Sequence, residues 1–282
     1  MASSGIIGPD TRRGRGSVLL EREAELSAIE GGLATAAAGH GSLVVVEGAA
    51  GIGKTTLLRT ACAEARERDL RIVTARGLAF ERGFPFGVVR QLFEPLRTAA
   101  PGDWSELLDG AAALAERAFD PGDVEPVEAD TGYATTHGLF WLAANLSVRR
   151  PLVVAVDDAH WADPPSLRWL AHLASRLEGL RILVLLAARS GTEGQEALDE
   201  LRGAATCTLL RPAPLSPASV AVLVNGRLGE ESSPELCRAC HEATGGNPFL
   251  LDSLVGALAS GAGTAVERLG PEPVARAVSR RL

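Results

Sequence analysis

Residues Gly48-Ala49-Ala50-Gly51-Ile52-Gly53-Lys54-Thr55-Thr56 follow the spacing G-x-x-x-x-G-K-T, a pattern suited to binding phosphate. Lys54 is the sole lysine among 28 basic Lys and Arg side chains. A compact ammonium on a flexible stem can reach between β- and γ-phosphates, where a planar guanidinium is too broad. The loop residues Gly48, Gly51, Ile52 and Gly53, with Lys54, Thr55 and Thr56, are the candidate phosphate binders, because backbone N–H groups of such a loop and of a helix N-terminus attract anions. Thr55 is a candidate Mg²⁺ ligand. Lys54 is expected to be exposed in the loop and to face backbone N–H dipoles.

A second acidic element lies far downstream. Four apolar residues end in Asp157 and Asp158. A carboxylate at a strand tip beside a phosphate loop can hold Mg²⁺, so Asp157 is the candidate metal ligand. Asp158 is the candidate for orienting or activating an attacking water. Arg189 closes another apolar run, and in a parallel sheet the strand tips line the ligand crevice, within reach of a γ-phosphate.

Elements of alternating type must position these groups. Leu43–Val46 reads as a short buried strand before the loop, and the residues from Thr55 onward read as a helix. Further strands are predicted at Arg71–Ala75, Leu152–Val156, Ile182–Leu186 and Thr206–Leu210, and Leu152–Val156 is uniformly apolar, as a parallel strand covered on both faces should be. A helix is predicted from Glu21 to Ala38. The stretch 88–147 reads as mostly helical, with a loop at Asp120–Asp123. Asp163-Pro164 and Ser216-Pro217 read as cap-then-proline helix starts, and Asn247-Pro248 as another. After Pro214 the pattern is helical only. These features predict an α/β phosphate-loop domain over 18–211 and a small helical domain over 212–282, behind a disordered tail at 1–17.

Bulk properties narrow the partners. The chain has 282 residues, 46% of them hydrophobic, and a net charge of −7. That balance argues against direct nucleic-acid binding by these residues. No apolar run approaches a membrane span, and a cytoplasmic location is expected. Cys237-Arg238-Ala239-Cys240-His241 has the spacing of a haem-attachment or half-zinc motif. Without an export signal or a second ligand pair, the cysteines are expected to be core residues.

Leu20–Leu26, the loop Gly48–Thr56, Asp157-Asp158-Ala159-His160-Trp161, Ala187-Ala188-Arg189 and Gly246-Asn247-Pro248-Phe249 together resemble the signal-transduction ATPases with numerous domains. Within that class the chain is most similar to the large ATP-binding regulators of the LuxR type. Phe84-Pro85-Phe86-Gly87 also resembles a segment of those regulators. The resemblance implies an AAA-like core with sheet order 5-1-4-3-2 and a helical lid. It implies ATP or ADP as ligand with Mg²⁺, slow hydrolysis, and self-association in the ATP state. It assigns Arg22 to the adenine side, Arg189 to γ-phosphate sensing and Pro248 to packing on the base. Glu21 stands where many related ATPases carry glycine. In those regulators DNA is bound by a C-terminal helix-turn-helix, and the chain reads as the nucleotide-binding piece that would precede one. The competing reading is a dedicated phosphate-loop enzyme, either a kinase or a motor-type ATPase.

Overall fold

The computed structural model describes residues 19–119, 129–191, 196–228 and 232–259. Chain order runs α1 (Glu23–Ala37), β1 (Ser42–Glu47), α2 (Lys54–Glu67), β2 (Arg71–Arg76), α3 (Gly87–Ala99), α4 (Pro101–Leu107), α5 (Ala129–Arg149), β3 (Leu152–Asp157), α6 (Pro164–Ala174), β4 (Ile182–Ala188), α7 (Glu196–Gly203), β5 (Cys207–Leu210), α8 (Pro217–Leu228), α9 (Pro234–Thr244) and α10 (Pro248–Ala259). The five strands form one sheet in the order β2-β3-β4-β1-β5, and every pairing is parallel. This is the sheet order implied by the family resemblance.

Period-two alternation divides the strand residues between two cores. Leu43, Val45, Val154, Val156, Val184 and Leu186 face α3, α5 and α6. Val44, Val46, Val153, Ala155, Leu183 and Leu185 face α1 and α2. A third cluster, built on Leu215, Val220, Val224, Cys240, Leu251 and Val255, belongs to the helical segment, and Leu20 packs against it. Cys62, Cys237 and Cys240 are buried free thiols, as expected of core residues.

Helix starts follow the sequence signals. Asp163 caps α6 by accepting from Ser166 N–H at 2.9 Å, and Ser216 accepts from Ser219 N–H at 3.2 Å. The stretch 88–147 is mostly helical, as expected, but it is broken into separate helices. Ala100 leaves helical geometry before Pro101, which has no N–H to continue the ladder, and Gly110–Ala118 is a 3₁₀ helix. The loop expected at Asp120–Asp123 and the tail at 1–17 lie outside the described residues. Among the described residues no helix is long and apolar enough to cross a membrane.

Candidate nucleotide site

The site lies where the sheet's strands end. β1 delivers Glu47 and then the loop. Glu47 is buried between Arg202, at 3.1 Å, and Arg211, at 3.0 Å, which ties the β1 tip to α7 and β5. Gly48 is fixed to the β4 tip: its N–H donates to the Ala188 carbonyl at 3.2 Å, and its carbonyl accepts from Ser190 N–H at 3.4 Å. Gly53 directly precedes α2, so Lys54, Thr55 and Thr56 form its first turn.

Lys54 corrects one expectation. It is buried, not exposed, and its Nζ faces carbonyls rather than N–H dipoles. It donates to Gly48 O at 2.8 Å and to Ala49 O at 2.9 Å. Burial lowers its pKa below the ordinary lysine value; the Asp158 carboxylate opposes that shift and Arg189 adds to it.

Thr55 and Asp157, 102 residues apart, come together: Thr55 Oγ1 donates to Asp157 Oδ2 at 2.8 Å. The other carboxylate oxygen accepts from Asp158 N–H at 3.0 Å. Two hard oxygen donors at the loop's mouth fit Mg²⁺, which completes its shell with water and phosphate. Such a two-oxygen set suits an ion that arrives with a nucleotide's phosphates.

Asp158 sits just past β3 with φ +49°, a left-handed conformation that Asp tolerates better than most residues. Its Oδ2 accepts from Arg76 Nε at 3.0 Å and from Arg76 Nη2 at 2.8 Å. Arg76 ends β2, and its main chain is held by Gln91. Gly77 follows because a Cβ there would lie 2.3 Å from the Asp158 carbonyl. Nothing in the local spacing marked Arg76 as a site residue. Its partner is 82 positions away.

His160 is buried in the short 3₁₀ turn Ala159–Trp161. Burial pushes its pKa down to about 4, with Asp158 opposing and Arg189 and Lys54 reinforcing. It is therefore neutral near pH 7. Its Nδ1 accepts from the Arg189 main-chain N–H at 3.3 Å, which makes Nε2 the protonated nitrogen. This bond joins the β3 and β4 tips and sets Arg189 beside Lys54.

Arg22 is buried, and its guanidinium reaches main-chain carbonyls: Ile52 O at 3.2 Å and Ala213 O at 2.8 Å. It fastens the loop to the start of the helical segment. Glu21 next to it has φ +56°, the left-handed geometry that explains why glycine is common there. Its carboxylate offsets that strain by accepting from Ser216 N–H at 2.9 Å, from Ser219 Oγ at 2.7 Å, and from Ser216 Oγ. Those bonds, led by the Ser216 hydroxyl, hold its pKa at about 2. Because the folded-state pKa is depressed, this cap is complete above the ordinary value of 4.5 and is lost as pH falls toward about 2. The melting-temperature gap between the wild type and Glu21→Gln should be full above about pH 5 and close as pH falls to about 2. A gap that stays constant down to pH 2 would show that the carboxylate's charge is irrelevant to the cap.

Pro248 begins α10, directly after Asn247, whose Nδ2 donates to Ala50 O at 2.9 Å. The helical segment thus meets the loop directly, where sequence reasoning gave Asn247 a capping role only.

Comparisons with known proteins agree with this architecture. Residues 18–186 match the family described as AAA ATPase domain. The uncharacterized protein R02095 of Rhizobium meliloti (strain 1021) is 27% identical over 266 residues, a match that covers 85% of this chain and 25% of that protein. The chain therefore spans about a quarter of the length of the curated relative it matches. Cdc6p from Pyrobaculum aerophilum has a similar structure, with a TM-score of 0.57 and 18% identity, covering 89% of this chain and 64% of that one. A signal transduction ATPase with numerous domains and a tetratricopeptide repeat sensor, from Pyrococcus horikoshii, gives a TM-score of 0.49 at 20% identity, covering 86% and 30%. At 18% identity the likeness to Cdc6p is one of fold. The family match takes in the loop, both strand-tip carboxylates and the first three strands, more than half of the chain, and on that ground the chain belongs to the AAA ATPase domains.

Proposed function

We propose that this ATPase domain is the nucleotide switch of a larger regulator of the STAND class, a transcriptional regulator of the LuxR type. The loop residues Gly48, Gly51, Ile52 and Gly53 and the first turn of α2 bind the phosphates of ATP or ADP. Lys54 neutralises them. Thr55 and Asp157 hold Mg²⁺, which when bound would neutralise phosphate charge and orient the terminal phosphoryl group. Arg22 and Pro248 flank the base, and Arg189 reports the γ-phosphate. The ATP state self-associates, and DNA is bound by another part of the regulator. Residues 18–211 form the nucleotide-binding unit and 212–282 its lid, in a cytoplasmic protein.

In hydrolysis Asp158 takes a proton from the attacking water. The water oxygen bonds to the γ-phosphorus as the bond to the β–γ bridging oxygen breaks, leaving ADP and phosphate.

The observation that supports a regulated ATPase is the Arg76–Asp158 ion pair. It holds Oδ2 of the carboxylate that would accept the proton. Arg76 is 62% exposed, so the pair is worth only ~0–1 kcal/mol. Such a restraint slows turnover yet can be released by a partner or a neighbouring subunit. An energy of about 1 kcal/mol corresponds to about fivefold in rate. Arg76→Ala is therefore expected to raise steady-state ATP turnover several-fold, at most about fivefold. Asp158→Asn should lower it by roughly 10²-fold while sparing ATP affinity, and Asp157→Asn should weaken Mg²⁺-dependent binding instead. Wild-type turnover within about 1–10³ per second would favour the kinase or motor reading. A rate unchanged by Arg76→Ala would remove the restraint.

A further inference from the structure

Asn247 makes two kinds of bond, and only one is explained by capping. Its Oδ1 accepts from Phe249 N–H at 3.1 Å and from Leu250 N–H at 3.3 Å, which caps α10. Its Nδ2 instead donates to the Ala50 carbonyl, 197 residues away, at 2.9 Å. Beside it, the Phe249 N–H also reaches the Gly51 carbonyl at 3.2 Å.

These two bonds complete a series. The Gly48 and Ala49 carbonyls accept from Lys54, Ala50 from Asn247 just before α10, Gly51 from Phe249 in the first turn of α10, and Ile52 from Arg22. Every carbonyl from 48 to 52 is thus held by a protein donor. In a trans peptide the N–H points opposite to the C=O. Fixing the Ala50 carbonyl toward Asn247 therefore aims the Gly51 N–H the other way, away from α10. Gly51 itself shows how close the fit is. It has φ +79°, and a Cβ there would lie 2.7 Å from Asn247 Oδ1 and 2.8 Å from Phe249 Cβ.

We propose that Asn247 is a positioning residue for phosphate recognition. By holding the Ala50 carbonyl it aims the Gly51 N–H at the phosphates, and it makes the position of α10 depend on whether the loop is filled. The inference rests on the loop being the nucleotide site. A phosphate oxygen accepting from the Gly51 N–H polarises that peptide and makes the Ala50 carbonyl a better acceptor, which strengthens the Asn247 bond. The same bond carries the response of the loop to the start of α10.

Asn247→Asp separates the two roles. A carboxylate still accepts from Phe249 and Leu250, and Asp is a strong N-cap, but it cannot donate to Ala50. Asn247→Ser keeps a cap, is too short to reach Ala50, and adds no charge near the phosphates. For both variants the melting temperature without nucleotide should stay near the wild-type value, while ADP and ATP affinity in Mg²⁺, measured by calorimetry, falls about tenfold. Hydrogen exchange gives the readout that capping alone would not move. Saturating Mg·ADP should slow exchange of the Phe249 and Leu250 amides in the wild type and leave it unchanged in both variants. Wild-type affinity, or a retained exchange response, in Asn247→Ser would overturn the proposal. Lys54→Ala run alongside separates the two readings. If it binds ADP normally the phosphate-loop reading fails. If it loses ADP while Asn247→Ser keeps it, only the role of Asn247 fails.

Discussion

Lys54→Ala is expected to reduce ATP affinity by roughly 100-fold or more. A hydrogen bond between charged groups contributes about 1.5–3 kcal/mol, and each 1.4 kcal/mol is about tenfold in affinity. The structure adds a second loss. Lys54 Nζ holds the Gly48 and Ala49 carbonyls. Without it, the Gly48 and Ala49 carbonyls keep only their longer main-chain bonds from Ser190 and Ile52, both at 3.4 Å, and their less compensated dipoles would repel a bound phosphate. The fold should survive, because the neighbouring Leu57, Leu58 and Ala61 carry the packing of α2. The check is thermal stability measured with and without Mg·ATP. At a ligand concentration of about 100 Kd the wild type gains about 2.7 kcal/mol, whereas the variant gains almost nothing. An equal gain in both proteins would sink the assignment of Lys54 as a phosphate ligand. Lys54→Arg should not restore binding, since a guanidinium fits neither the curve nor the two carbonyls.

The parts of this site that were legible in the sequence are those encoded by local spacing. Gly48 to Thr56 announces its own loop. The apolar runs ending in Asp157 and near Arg189 announce strand tips, and Asp163-Pro164 announces a helix start. In each case the partners lie within a few residues, so periodicity and turn chemistry suffice. The parts that were not legible are polar pairs closed by the fold. Arg76 meets Asp158 only because β2 and β3 are adjacent. Glu47 is buried against Arg202 and Arg211 only because β5 lies beside β1. Glu21 looked like a defect where glycine is usual, yet its carboxylate finds Ser216 and Ser219 across 195 and 198 residues. Asn247 was explained fully by its cap, and that adequate local account hid its bond to Ala50. Sidedness was also hidden in Lys54: spacing placed it in the loop, but only the folded curve shows that its ammonium turns toward carbonyls.

Asp163→Ala is expected to be the most destabilising single change at the site's periphery, by about 3–4 kcal/mol, since a lost cap costs about 1–2 kcal/mol and each buried N–H left without an acceptor about 1–3. Sequence alone identifies Asp163 as the cap of α6, which would put the cost at the lower figure. The folded carboxylate does more. Its Oδ1 accepts from Ser166 N–H at 2.9 Å and from Phe86 N–H at 2.8 Å, and Oδ2 accepts from Val88 N–H at 3.0 Å. One buried side chain therefore caps α6 and also the start of α3, 77 residues earlier. Phe86 takes a left-handed φ of +59° to reach it, a conformation that costs roughly 1–2 kcal/mol and needs the bond to persist. With Ala at 163 all three amides lose their acceptor, and water reaches them poorly because Phe86, Val88 and Ser166 are buried. Asp163→Asn keeps one acceptor oxygen for Phe86 and Ser166 but turns an NH₂ toward the Val88 N–H, so its loss should be near half. Urea unfolding measures both. A shift below about 0.5 kcal/mol for Asp163→Ala, the size expected of an ordinary surface change, would mean that the two helix starts hold without it. The effect on the site should follow from position. α3 carries Gln91, which holds the Arg76 main chain, and α6 follows the turn that carries Asp158 and His160. Loosening their shared cap should therefore free Asp158 from Arg76 as well, so that at temperatures where Asp163→Asn remains folded its ATP turnover should rise toward that of Arg76→Ala.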